Sequence, residues 1–370
     1  MKKINISQVD AIFANGSYPI EFLIYYRNKL SSLRIRRALK KISTDFWPVF
    51  GKYQNGIIEF KPYSESDYFE ESQSDQKFDP DESLETIFET YRDAIPPLMD
   101  QLFFLKIIQI PNGTILIPKL NHLVGDGYSY FYFLSVLAAL SRPNYVPFKR
   151  RIILNLYKPD HNRTVLKPFS LSKTGRDPER TAEKLTLRLE KIPRKDIHDM
   201  IRDNTAKLST NDILSAMVLQ HTIRNMKEKP VDQFRLTIPI DVRRQVKEYG
   251  RKYFGNGIMF GEIVFQTDEI VASNLMELSL RIRAGMPDVK RESFMKFLGE
   301  IESSITAGNT DGLRPYDPER GCLTTNLSKM PVTQLDFGTG LPDFVTPLTI
   351  GKNSAGILAD KENFILRLAY

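Results

Sequence analysis

Two α/β lobes are the architecture the sequence predicts, and three observations carry the prediction. A chain of 370 residues exceeds what one hydrophobic core ordinarily organises. Strand-like and helix-like patterns alternate in both halves. Between them, from Ser141 to about Arg180, the periodicity fades and Pro143, Pro147, Pro159, Pro168 and Pro178 punctuate a basic, polar stretch. The expected division is an N-terminal lobe over 1–160, a crossover linker over 161–180 and a C-terminal lobe over 181–370.

In chain order, Ser31 or Ser32 caps a helix whose apolar stripe is Ile35, Leu39, Ile42 and Phe46, with Arg34, Arg37, Lys40 and Lys41 facing outward. It ends near Trp47-Pro48. Residues 50–60 then read as two short strands around Asn55-Gly56. The acidic stretch from Ser64 to Glu82 reads as a solvated loop. A hairpin follows, Leu102 to Ile110 and Thr114 to Leu120, joined by Pro111-Asn112-Gly113. Tyr128 to Leu140 is apolar or aromatic on nearly every side, as a buried helix requires. The second half gives a strand over 185–189, a helix over 194–204, a helix opened by Ser209-Thr210-Asn211-Asp212 and a strand from Phe234 to Ile240.

Composition narrows the functions. There is no apolar run of the length that crosses a bilayer, and the first sixteen residues hold no export signal. The single cysteine, Cys322, excludes an internal disulfide framework and a thiolate metal cluster, and a reducing, cytoplasmic setting is expected. Beside apolar Leu323 it reads as a packed residue, not a nucleophile. The net charge of +7 permits an anionic partner. Its densest cluster, Lys149-Arg150-Arg151, comes with no nucleic-acid-binding signature, so nucleic acid is not expected. Serine-hydrolase elbow, P-loop, dinucleotide fingerprint and zincin motif are all missing.

The chemistry concentrates at Asn121-His122-Leu123-Val124-Gly125-Asp126-Gly127, a strand-to-helix turn in which glycines flank Asp126 and suggest positive φ or a close approach. Taken alone the segment has two readings: an exposed general base, or a strand-end histidine with Asp126 as a helix N-cap. A metal site is a third reading. The glycines argue against His122 and Asp126 sharing a helical face, and no further ligand cluster exists, so no metal is expected.

Several motifs in order resemble the BAHD acyltransferase family. His122 to Gly127 matches its HxxxDG motif, Asp241-Val242-Arg243 its DxR segment, Tyr253-Phe254-Gly255-Asn256 its YFGN segment, and Asp336-Phe337-Gly338-Thr339-Gly340 its DFGWG motif. Trp47 to Tyr53, Ser209 to Ala216 and Leu323 to Asn326 extend the similarity. Thr339 replaces the family's tryptophan, and 370 residues is short for the family.

The resemblance implies two chloramphenicol-acetyltransferase-like lobes, each a mixed sheet flanked by helices, with a channel between them. It implies a monomer that moves an acyl group from acyl-CoA to a small-molecule alcohol or amine, with no permanently bound cofactor. His122 would be the base. Asp126 would pair with Arg243 as scaffold beside Gly127, and Asp336, Phe337, Gly338 and Gly340 would brace the lobes. Gly255 and Asn256 would neighbour the pantetheine arm, and Thr339, Thr324 or Thr325 would donate to the oxyanion. Two alternatives stay open: a condensation-type enzyme taking its acyl group from a carrier protein, and a homologue that binds acyl-CoA without turnover.

Overall fold

The computed structural model describes residues 2–14, 18–98, 101–143, 158–162, 185–203, 207–226, 231–309, 312–349 and 351–370. Most of the expected linker and the Lys149-Arg150-Arg151 cluster lie outside them. No helix among the described residues is long and apolar enough to cross a membrane.

Two mixed sheets dominate. The first is built around β2 (Ile20–Tyr26), β6 (Phe103–Ile110) and β7 (Gly113–Leu120), with β5 (Phe69–Gln73) at one edge and β12 (Phe344–Pro347) at the other, in the order β12-β2-β7-β6-β5. The second runs β10-β9-β11-β13-β14-β8, formed by Ile258–Gln266, Gln233–Asp241, Gly321–Asn326, Ser354–Ala359, Asn363–Ala369 and Leu187–Pro193 respectively. Its β9-β11-β13 centre is parallel and its flanks antiparallel. A small sheet, β1-β4-β3 (Lys3–Asn5, Ile57–Glu59, Lys52–Gln54), sits beside the first. Its β3–β4 turn places Asn55 and Gly56 at φ 50° and 82°, the pairing that the Asn-Gly sequence encodes.

Strand β7 is buried at every position. Leu116 and Leu120 on one face join the core under α5 (Gly127–Ser141), while Ile115 and Ile117 on the other meet Leu187, Leu348 and Ala369 of the second half. A strand covered on both faces reads as a largely apolar run, here interrupted by Lys119, which is buried against Glu21. Helix α5 buries Tyr130, Phe131, Phe133, Leu134 and Leu137 and leaves one stripe, Tyr128, Tyr132, Ser135 and Ala139, half-buried. It packs against α2 (Ser32–Ile42), whose N-cap is Ser31. Each such side chain contributes roughly 1.5–3 kcal/mol through burial.

Two features differ from the sequence reading. Residues 64–82 are not simply a loop: α3 (Glu65–Tyr68) leads into β5, which pairs parallel to β6. Its carboxylates suggest a loop because they serve surface ion pairs at a sheet edge: Glu65 and Glu71 meet Arg36, and Glu70 meets Lys106. The lobes also exchange chain. Strand β12 belongs by sequence to the second half, yet it pairs antiparallel with β2, Phe344 opposite Tyr25 and Pro347 opposite Phe22.

The remaining helices, α1 (Gln8–Ala11), α4 (Leu84–Tyr91), α6 (Arg194–Arg202), α7 (Thr210–Asn225), α8 (Thr267–Ala272), α9 (Leu275–Gly285) and α10 (Arg291–Thr306), complete the layers. Ser209 opens α7 through a capping box with Asp212.

Candidate active site around His122

Strand β7 ends at Leu120, and the next six residues turn the chain into α5, with Asp126 as N-cap accepting from the Ser129 amide at 3.0 Å. The capping is ordinary; what else the carboxylate does is not. Arg243, just past β9, lays its guanidinium along Asp126 with Nη1 to Oδ2 at 2.8 Å and Nη2 to Oδ1 at 2.9 Å. The Gly257 amide donates to the same carboxylate at 2.9 Å. Asp126 is 2% exposed and Arg243 5%. Burial would raise the Asp126 carboxyl, but the Arg243 charge and these donors outweigh it and hold the group below the ordinary carboxylate value.

Arg243 spends its remaining donors on the Gly255 carbonyl at 2.9 Å, the Ser129 hydroxyl at 3.1 Å and Asp241 at 3.1 Å, and its plane lies 4.5 Å from the Tyr128 ring centroid. A bidentate arginine fork with this many acceptors fixes geometry as well as charge. It clamps the His122 turn of the first sheet onto the β9–β10 connection of the second. Gly257 is required by that approach, since a Cβ there would stand 2.8 Å from the guanidinium carbon.

The glycines beside Asp126 act differently from the expectation. Neither Gly125 nor Gly127 has a positive φ. Gly125 leaves room, because a Cβ would meet that of Ser129 at 2.7 Å.

His122 itself is half-buried. Its Nδ1 is sealed from solvent with no hydrogen-bond partner, which leaves Nε2 as the candidate nitrogen for proton exchange in a partly exposed residue. Burial is the largest influence on the imidazole and lowers its pKa below the ordinary value; the Asp126 and Asp10 charges pull upward without cancelling it. The ring is therefore neutral over a wider range than free imidazole, as a proton acceptor at neutral pH needs.

The sequence model of the Transferase family matches residues 66–363, a span that holds all four motifs. The chain belongs to this family, the BAHD acyltransferases. Piperine synthase of Piper nigrum is 23% identical over 297 residues, 75% of this chain and 61% of that protein. The chain thus spans less than two thirds of that relative's length. Among solved structures, Fusarium graminearum TRI101 complexed with coenzyme A and deoxynivalenol superposes with a TM-score of 0.74 at 16% identity, covering 100% of this chain and 95% of that one. Vinorine synthase gives 0.69 at 17%, covering 100% and 90%. These neighbours share the two-lobed, chloramphenicol-acetyltransferase-like fold.

The other motifs of this BAHD chain fall into place with two corrections. Asn256 is 0% exposed, and its amide Nδ2 is spent on Asp10 Oδ1 and the His122 carbonyl, both at 2.8 Å. Gly255 is buried too, its carbonyl taken by Ser129 and Arg243. These residues brace the His122 turn from behind and offer no surface to a pantetheine arm.

The second correction concerns Thr339. Arg142, immediately after α5, donates to the Asp336 carbonyl at 3.1 Å, and Tyr26, opposite Thr114 at the start of β7, donates to that of Leu335 at 2.6 Å. His122 lies beyond the other end of both elements. Fifteen helical residues in α5 span about 22 Å, and eight in β7 span about 26 Å. Thr339 is on the order of 20 Å from His122 by either measure, too far for an oxyanion donor. Asp336 instead caps its own loop through the Gly338 and Gly340 amides, at 2.7 and 3.1 Å, while Phe337 is buried against Tyr26.

Thr324 and Thr325 are differently placed. They end β11, and the following Leu327 reaches Gly127, where a Cβ would stand 3.2 Å from its Cδ2. Thr324 is fully buried, its hydroxyl without a partner. The residues missed in the sequence are Ser129, Gly257, Asp10 and Phe13. A capping-box pattern, Ser7 followed three residues later by Asp10, was the available signal for Asp10.

Proposed function

We propose that this chain transfers an acyl group from acyl-CoA to a hydroxyl or amine of a small molecule, with Nε2 of His122 as general base. One observation carries the reading: an imidazole whose Nδ1 is sealed and whose burial favours its uncharged form, on a turn that a buried ion pair locks between two lobes. As the acceptor oxygen or nitrogen attacks the thioester carbonyl, Nε2 takes its proton. The oxyanion then collapses, the C–S bond breaks, and the imidazolium returns the proton to the CoA thiolate. No covalent acyl-enzyme is required.

Thr324 and Thr325 remain as oxyanion donors, and the unpartnered buried hydroxyl of Thr324 favours that strand. Asp126 and Arg243 are scaffold. Support for a CoA donor over a carrier-bound one comes from the TRI101 neighbour, which is complexed with coenzyme A. Thr339, the best support for a homologue without turnover, sits in a loop remote from His122. The same reading makes acyl-CoA a co-substrate with no resident cofactor, and the chain a cytoplasmic monomer. Thiol release from acyl-CoA against an acceptor panel tests it: release is expected, and undiminished release in His122→Ala would sink it.

A further inference from the structure

The ring packed most closely on His122 comes from the first fourteen residues. Helix α1 is only one turn long, yet Ser7, Gln8 and Asp10 within and before it are completely sealed from solvent. A helix this short has no stability of its own, and burying its polar groups requires that they be hydrogen-bonded. Its capping box meets part of that need, with the Ser7 amide donating to Asp10 Oδ2 at 2.7 Å. Asp10 and the Phe13 ring also reach the site. Phe13, 2% exposed, lies face to face with the imidazole, ring centroids 3.8 Å apart and planes 19° apart. Asp10 Oδ1 holds Asn256, and Asn256 holds the His122 carbonyl.

We propose that Phe13 and Asp10 are positioning residues for His122: the Phe13 ring covers one face of the imidazole and aims Nε2, while Asp10, through Asn256, fixes the backbone beneath it. The inference rests on His122 being the base. Small misplacements of a base cost far more in turnover than in binding, so the segment acts on kcat. The charged groups facing the imidazole are Asp126 at the start of α5, compensated by Arg243 from the end of β9, and Asp10 from α1; Asn256 is neutral. The ring keeps water off the imidazole and disfavours its protonation, whereas the Asp10 charge favours it. Removing one or the other moves the titration of His122 in opposite directions.

The experiment uses the full chain and two readouts: the NMR titration of the His122 ring, identified among four histidines by its loss in His122→Ala, and the pH profile of acyl transfer. Phe13→Leu is expected to raise the titration and the acidic limb of kcat, with kcat lower by on the order of ten- to a hundred-fold and KM for acyl-CoA little changed. Asp10→Asn keeps an oxygen for Asn256 but removes the charge, and moves the titration down. Phe13→Tyr keeps the ring face and behaves as the parent. Unmoved titrations in both Phe13→Leu and Asp10→Asn overturn the proposal. Activity surviving in His122→Ala would instead remove the base assignment, and the ring titration would still report on the clamp.

Discussion

The two ends of α5 carry the two motifs that most clearly mark the family, and they are built in opposite ways. At the N-terminal end, Asp126 reaches across the seam to an arginine more than a hundred positions away, and its carboxylate also accepts from the distant Gly257 amide. At the C-terminal end, Asp336 accepts from amides two and four residues on, and contact with α5 is made by an exposed arginine. The first arrangement joins lobes around the His122 turn; the second shapes a loop. A strongly recognisable motif therefore need not lie near His122, and a motif aspartate performs two unlike tasks in one molecule.

Substitutions at the two ends sharpen that contrast. His122→Ala should give the largest functional effect, a loss of acyl transfer of about 10²–10⁴-fold in a chain that still unfolds cooperatively, read by thiol release beside calorimetry. Arg243→Ala leaves Asp126 buried and unpaired, and denaturant unfolding should report a loss of about 3–5 kcal/mol. At the other end, Asp336→Ala removes two capping bonds and should cost about 1–2 kcal/mol with kcat per folded molecule intact; a kcat collapse there would erase the distinction. Thr339→Ala removes a buried hydroxyl that has no partner, so stability should change by less than about 0.5 kcal/mol and turnover not at all.

Acid probes the N-terminal end. His122 and Asp126 both have lowered pKa values in the folded chain. Below the ordinary imidazole pKa, and again below the ordinary carboxyl pKa, the unfolded chain binds protons that the folded chain refuses. Stability from both groups is present at neutral pH and is lost as pH falls, that of Asp126 fully once pH passes its depressed folded value. Urea unfolding across pH should show this acid loss, smaller in Asp126→Asn.

Much of this was legible because the signals were periodic or local. The β6–β7 hairpin, the all-apolar α5 and the Ser31 cap of α2 follow from pattern alone, and Asp126 with Arg243 followed from motif resemblance. The rest was hidden for definite reasons. Strand β5 carries Glu70 and Glu71 outward, which reads as loop until Lys106 and Arg36 are seen beside them. Helix α1 is too short for periodicity, and Phe13 could be tied to His122 only in three dimensions. The depth of the turn's support could not be counted from sequence either: Gly255 and Asn256 look like exposed cofactor neighbours until their burial is seen.

Strand β12 gives the seam a temporal side. Strand β2 is made within the first 26 residues, but its partner on one side is residues 344–347. At about 5–20 residues per second the ribosome delivers that partner on the order of tens of seconds later. Until then the first sheet has an open, apolar edge of the kind that pairs with the wrong chain, and the lobe bearing His122 stays incomplete. Shortened chains that end before residue 344 should therefore be recovered as aggregates and not as a free half-enzyme, so that the protein matures as one unit or not at all.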